Sequence, residues 1–356
     1  MTQPQPTSRQ AFRRTDDHTP GTPKVKLVTE AIPPLSPSGV LIKVHAVSLN
    51  YRDANIANGG NPWPVVPHGI PCNDAAGEVV AVGERVKNLA IGDRAAPIVD
   101  TENITGREST RSWLAADEDG VLADYIVFDE HKLCKLPMYL NWVQASLIPC
   151  AGVTAWAALK DMEIGQTVLI QGTGGVAMFA LKLARAAGLK VIMTSSSDAK
   201  LQKMKEQFPT PPLLTVNYSK NPEWHEEVLK LTEGAGVDIV VEVGGSSTLV
   251  KSMKCTRRGG IVSQVGYLSK QNTSEFAELL SVLIDRRQWL MLTIGESTLV
   301  LSKTKTIFAQ RCPPHKSSSM ILLTQFTRLK RPMRRLNIFG KVNRLENWCF
   351  GYSAPC

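Results

Sequence analysis

The chain has 356 residues, 43% hydrophobic, 21% charged and 6% aromatic; this balance excludes disordered, collagen-like and coiled-coil classes and suits two or three domains with sizeable cores. Its net charge of +9 is confined to the end: residues 301–356 carry eleven Lys or Arg against one acid, Glu346, which leaves positions 1–300 at −1. Most of the chain therefore offers no basic field, no helix-turn-helix or RNP motif is visible, and no nucleic-acid partner is expected.

Along the chain, no stretch approaches the roughly 18 uncharged apolar residues that span a bilayer, and the start MTQPQPTSRQ lacks the apolar core of a secretory signal. No membrane partner is expected. Seven cysteines, at 72, 134, 150, 255, 312, 349 and 356, form no C-x-x-C pair, which fits reduced thiols and a cytoplasmic setting. Residues 1–23 are polar and proline-containing and read as a loosely ordered lead-in. Val40–Val47 alternates apolar with polar as a half-buried strand does, Gly77–Val82 runs as a strand into a Gly83-Glu84 turn, and short strands recur to about Lys135.

Past Trp142 the pattern changes. Ala145–Leu159 reads as a helix, Val168–Gln171 as a buried strand, Ala177–Ala187 as an amphipathic helix and Val191–Thr194 as a strand. Further strands follow at Val237–Glu242 and Gly260–Val265. Strands alternating with helices imply an α/β fold, a doubly wound parallel sheet with crossover helices.

Between the first strand and helix of that series lies Gly172-Thr173-Gly174-Gly175-Val176-Ala177, a G-x-G-x-x-A run. Its glycines permit a tight turn and a close backbone approach to a pyrophosphate, the helix N-terminus favours the phosphate charge, and small Ala177 lets helix and strand pack closely. At the end of the second strand, where an Asp or Glu would bind the ribose 2′-hydroxyl of NAD, stand Thr194-Ser195-Ser196-Ser197, followed by Lys200. Small hydroxyls leave room for a 2′-phosphate and Lys200 offers it a counter-charge, so NADP(H) is the expected cofactor. The competing reading makes Ser195–Ser197 a plain polar turn and Asp198 a helix cap.

These motifs, with VHAVSLNYRDANI at 44–56, DAAGEVVAVGERVKNLAIGDRA at 74–95, ADYIVFDEHKLCKLP at 123–137, AGVTAWAAL at 151–159, VDIVVEVGGSSTL at 237–249 and RRGGIVSQVGYLS at 257–269, resemble the medium-chain dehydrogenase/reductase superfamily on its zinc-independent, quinone oxidoreductase-like branch. The resemblance implies a GroES-like catalytic domain over 24–142, a Rossmann NADP-binding domain over 143–290 and an active site between them. It further implies that Asn50, Tyr51 and Asp53 line the substrate pocket, with Tyr51 or Asn50 polarising the substrate oxygen and Asp53 holding the loop. For the cofactor it implies contacts from Thr154, Asn217, Tyr218, Val243, Gly244, Gly266 and Tyr267. The competing reading packs Tyr51 in the core and makes Asp53 a turn cap.

In zinc-dependent members a Cys, a Gly-His-Glu triplet and a later Cys supply the catalytic metal. The matching positions here read Asn50, Cys72-Asn73-Asp74 and Cys150, so no metal site is expected; His68, Cys72 and Asp74 are a remote alternative. Without a Lewis acid, hydride delivery to a quinone, enone or related carbonyl is the better expectation than oxidation of a simple alcohol, in a setting such as secondary metabolism. Alcohol dehydrogenase-like activity on a small carbonyl and a non-catalytic dinucleotide-binding relative are the alternatives. From about residue 288 the sequence matches none of the family's closing strands except at Phe339–Val342. Residues 291–356 thus read as an atypical basic segment, of the kind a retained intron or shifted frame produces. The homodimer that many relatives form through the last Rossmann strand is left open.

Overall fold

The computed structural model describes residues 6–61, 63–105 and 107–268, together with the backbone of three later strands. These residues divide into two compact units that meet in sequence at Cys150 and Ala151.

The first unit opens with strands β1 (Ser8–Arg14) and β2 (Val25–Ala31), paired antiparallel. Here the structure corrects the expectation of a loosely ordered lead-in. Arg9 and Arg13 both grip Glu30 across the pair, at 2.7 Å each, and Arg14 is buried with its guanidinium against the Ala115 and Val66 carbonyls. The strand is polar in composition yet ordered, because its charges are paired and its backbone bonds to Leu122 and Gly69.

A five-stranded antiparallel sheet follows, built from β3 (Gly39–Ser48), β4 (Asp74–Val82), β5 (Arg94–Pro97), β6 (Tyr125–Asp129) and β7 (Leu133–Lys135) in the order β6-β3-β4-β5-β7. Val40, Ile42, Ile70, Val79, Leu114, Val121 and Ile126 form its core, each contributing about 1.5–3 kcal/mol on burial. Helix α1 (Tyr51–Ala57) leaves the end of β3, and α2 (Trp142–Ser146) packs Ala145 against Ala76, Ala96, Leu136 and Leu140. That packing keeps residues 142–150 with the first unit, later than the change of pattern at Trp142 suggested.

The single helix expected over Ala145–Leu159 is interrupted. Between α2 and α3 (Val153–Ala158) the chain takes a wider π-helical turn over Ile148–Gly152, where Pro149 has no N–H to continue the ladder.

In the second unit, β8 (Thr167–Gln171), β9 (Lys190–Ser195), β10 (Leu214–Asn217), β11 (Val237–Glu242), β12 (Thr256–Gln264) and β13 (Trp289–Ile294) pair in parallel in the order β10-β9-β8-β11-β12-β13, with β14 (Ser297–Leu301) and β15 (Ile307–Phe308) added antiparallel at the end. Helices α4 (Gly175–Ala186), α5 (Asp198–Gln207), α6 (Trp224–Leu231) and α7 (Ser246–Lys254) connect them. This is the doubly wound order of Rossmann sheets, over a core that includes Leu169, Ile192, Val216, Val228, Val240, Met253 and Val262.

Contrary to the expectation that the sequence from about residue 288 departs from the family's closing strands, β13 takes the sixth position beside β12. Its far edge is paired with β14 of the same chain. Phe339–Val342 and most of the segment read as atypical lie outside the described residues.

Candidate functional site

The carboxyl ends of β10, β9, β8, β11 and β12 lie side by side in the second unit, and each carries residues expected to touch a dinucleotide. After β8, Gly172 turns the chain at φ +78°, a left-handed conformation that a Cβ would strain by about 1–2 kcal/mol. Its N–H donates to Thr194 O at 2.9 Å, which ties the turn to β9. Thr173 is buried, Gly174 caps α4, and the first N–H groups of that twelve-residue helix, from Gly175 and Val176 on, lack partners within it. Ala177, Ala180, Leu181 and Ala184 bury the other face of α4. A Cβ at Gly175 would stand 3.5 Å from the Ala151 methyl, so the chain entering α3, where Thr154 lies in the first turn, passes beside the glycine turn.

Ser195 ends β9, buried, with Ser196 exposed beyond it. Tyr218, past the end of β10, donates its N–H to Ser195 O at 3.2 Å. On the other side of β8, Leu268 N–H donates to Val243 O at 3.1 Å, and a Cβ on Gly266 would fall 2.8 Å from the same oxygen. Val243, Gly244, Gly266 and Tyr267 therefore share one edge, and only glycine permits the contact at 266.

The cap of α5 is Ser197, whose Oγ accepts from Lys200 N–H at 3.4 Å; it is not Asp198. Asp198 instead accepts from Asn217 Nδ2 at 2.6 Å and pairs with Lys220 at 2.5 Å. Those two partners, Asn217 first, hold its carboxyl below the ordinary range. Lys200 is exposed in the first turn of α5.

In the first unit, Asn50 precedes α1 and ties that helix to β4. The Asp53 carboxylate accepts Asn50 N–H at 2.7 Å, as an acid at the third helical position does. The Asn50 amide donates at 2.9 Å to Asn73 Oδ1 and at 2.9 Å to Asp74 Oδ2, and both of those residues are buried. Burial pushes the Asp74 carboxyl up to about 7, against the Asn50 hydrogen bond and with the Asp53 charge adding to the rise; burial also raises Asp53. Tyr51 is 58% exposed, so it does not pack in the core, and among the described residues its hydroxyl has no hydrogen-bond partner.

Whether these groups fit a catalytic zinc can be judged from the donors. Zinc takes three protein ligands from thiolate, imidazole or carboxylate. At the corresponding positions Asn50 and Asn73 are amides bonded to one another, which leaves Cys150 as the one thiol of the three. Burial raises the Cys72 thiol. Among the described residues no group of three or more His, Cys, Asp or Glu side chains could hold a metal ion. The donor set does not fit zinc.

Three residues that sequence reasoning missed organise these surroundings. Gln171 and Glu242 were legible only as strand residues, yet they join the ends of β8 and β11 through a 2.6 Å hydrogen bond. The available signal was a polar residue closing each apolar stretch, Gln171 one position and Glu242 two positions before a glycine. Gly120 is the third: a Cβ there would lie 2.1 Å from Cys72 O and 2.6 Å from Pro71 O, so only glycine lets this loop lie against the segment that leads into Asn73 and Asp74.

Fold and strand-edge geometry together define a class of nicotinamide-dinucleotide oxidoreductase, and the comparisons agree. A family model described as "Alcohol dehydrogenase GroES-like domain" matches residues 36–138, and one described as "Zinc-binding dehydrogenase" matches 175–302. The chain is 39% identical over 248 residues, 67% of its length and 71% of the relative's, to a zinc-type alcohol dehydrogenase-like protein of Schizosaccharomyces pombe. It is 28% identical to a quinone oxidoreductase of Pseudomonas aeruginosa, over 69% of this chain and 70% of that one. A solved alcohol dehydrogenase superfamily protein from Novosphingobium aromaticivorans superposes with a TM-score of 0.65 at 26% identity, covering 81% of this chain and 79% of the other. The chain belongs to the medium-chain dehydrogenase/reductase superfamily, whose members bind nicotinamide dinucleotides. No helix among the described residues is long and apolar enough to cross a membrane.

Proposed function

We propose that this chain is an NADPH-dependent reductase of quinones, enones or related conjugated carbonyls that works without zinc, in a role such as tailoring in secondary metabolism. The observation that carries the reading is the Asn50 amide bonded to both Asn73 and Asp74, which fills with hydrogen bonds the place where a metal-dependent relative needs ligands. NADPH, when bound, supplies the hydride. Thr154, the Gly172–Val176 turn, Tyr218, Val243, Gly244, Gly266 and Tyr267 bind and orient it, and Ser195, Ser196 and Lys200 receive the 2′-phosphate. Asp198, the one acid near the end of β9, already accepts a hydrogen bond from Asn217 and pairs with Lys220.

A conjugated carbonyl that accepts hydride at carbon builds negative charge on oxygen, and a hydrogen-bond donor there stabilises it. Both Asn50 amide hydrogens are engaged, so the exposed Tyr51 hydroxyl takes that role and Asp53 fixes the start of α1 beneath it. Tyr51→Phe is expected to lower kcat/KM for a quinone by about 10²-fold or more without changing NADPH affinity. Steady-state kinetics with a separate cofactor titration checks this.

Titrating the protein with NADPH and NADH, following nicotinamide fluorescence with and without phenanthrenequinone, tests the reading as a whole. Tight NADPH binding followed by quinone-dependent oxidation is expected; binding of NADH alone, or no oxidation, contradicts it. In the same assay Lys200→Ala is expected to weaken NADPH about tenfold and leave NADH unchanged, and equal effects on both would remove Lys200 from the phosphate site. Likeness to the fission-yeast relative supports a second reading, oxidation of a small alcohol, which NADP reduction by secondary alcohols would favour.

A further inference from the structure

Glu242, the last residue of β11, is fully buried, and five donors converge on its carboxylate. Oε1 accepts from Gly244 N–H at 2.8 Å, Gly245 N–H at 3.1 Å and the Thr248 hydroxyl at 2.5 Å. Oε2 accepts from Gln171 Nε2 at 2.6 Å and from the Ser252 hydroxyl. Gln171 Nε2 also donates to Ser252 Oγ at 2.8 Å, and its Oε1 accepts the N–H groups of Val243 at 3.0 Å and Gly244 at 3.2 Å. Thr248 and Ser252 lie one turn apart on the face of α7 above the carboxylate.

Two further features show how tightly the turn is drawn. Gly245 adopts φ +91°, and a Cβ on Gly244 would fall 2.3 Å from Thr248 Oγ1. Burial pushes the Glu242 carboxyl upward while the hydrogen bonds pull it down. Each of the five neighbours donates to an oxygen of Glu242, so the network is built around an acceptor at both oxygens.

We propose that Glu242, acting through Gln171, is a positioning residue for the dinucleotide: it clamps the Val243–Gly245 turn to the residue that precedes the Gly172 turn. Two backbone stretches at neighbouring strand ends are then fixed before the cofactor arrives, and binding spends less free energy on ordering them. The inference rests on the NADP(H) reading above and adds to it a buried group that touches no cofactor atom.

The test uses the full chain and three variants. Glu242→Gln sets an NH₂ against donors, Gln171→Met cuts the bridge between β8 and β11, and Thr248→Val removes a single donor at nearly constant volume. Each is titrated with NADPH and NADH by nicotinamide fluorescence, with a thermal melt alongside. The expected result is a Kd for NADPH raised about tenfold in each folded variant at unchanged binding stoichiometry. KM for NADPH should rise more than kcat falls, and Glu242→Gln combined with Gln171→Met should bind no more weakly than Glu242→Gln alone. A merely structural role would lower the melting temperature or the stoichiometry and leave Kd in place. Folded Gln171→Met and Thr248→Val proteins that bind NADPH as the wild type does would overturn the inference even if Glu242→Gln fails to fold. A wild-type chain that binds neither nucleotide would overturn the NADP(H) reading and this inference with it.

Discussion

Asp74→Asn is expected to stabilise the protein markedly near pH 8 and to change it little near pH 4. The carboxyl is buried, and its pKa is pushed from 3.8 to about 7, first by desolvation and then by the Asp53 charge. Below about pH 4 both folded and unfolded chains hold the proton, so no difference arises. As pH rises from about 4 to 7 the unfolded chain releases it and the folded one keeps it, so stability falls across that window by on the order of 4 kcal/mol and stays reduced above it. Asparagine retains an oxygen for the Asn50 amide and carries no proton to lose. Urea unfolding of both proteins at several pH values measures the difference. A gap between them that does not widen with pH would show that Asp74 titrates normally.

Gly120→Ala is expected to cost about 3 kcal/mol or more, because the added methyl meets backbone with no room to yield. It would overlap the Cys72, Pro71 and Ile70 carbonyl oxygens at 2.1, 2.6 and 2.7 Å. The same segment receives Gly120 N–H at Ile70 O and Val121 N–H at Cys72 O. Pushing it away moves Asn73 and Asp74 off the Asn50 amide, so quinone reduction should fall together with the denaturation midpoint. An alanine variant with wild-type stability would mean that residues 70–72 are free to shift.

The parts of the fold legible in the sequence are those whose pattern is local. Val40–Val47 and Val237–Glu242 announce strands by apolar spacing, and the turn after Gln171 announces itself by its glycines. The β1–β2 pair does not, because its order comes from Arg9 and Arg13 meeting Glu30 some twenty positions away. Pro149 stands inside the expected helix over 145–159, a local breaker where the chain takes a π-helical turn instead. Among the candidate site groups, Asn50, Tyr51 and Asp53 were singled out through family resemblance. What resemblance could not supply was that Asn50 gives both amide hydrogens to Asn73 and Asp74, the reason the function proposed here gives the polarising role to Tyr51. Glu242 and Gly120 were illegible for a related reason: the contacts that define them, with Gln171 in one case and with residues 70–72 in the other, are made by residues distant in sequence.

The first unit carries amides where a metal-dependent relative needs thiolate and imidazole, and the second presents a strand edge suited to a dinucleotide. Turnover of NADPH and phenanthrenequinone by protein stripped of metal with a strong chelator, its metal content verified by elemental analysis, joins the two observations in one measurement. Undiminished quinone-dependent oxidation, unchanged when zinc is added back, is the predicted result. Activity that vanishes with the metal and returns with zinc would contradict the account.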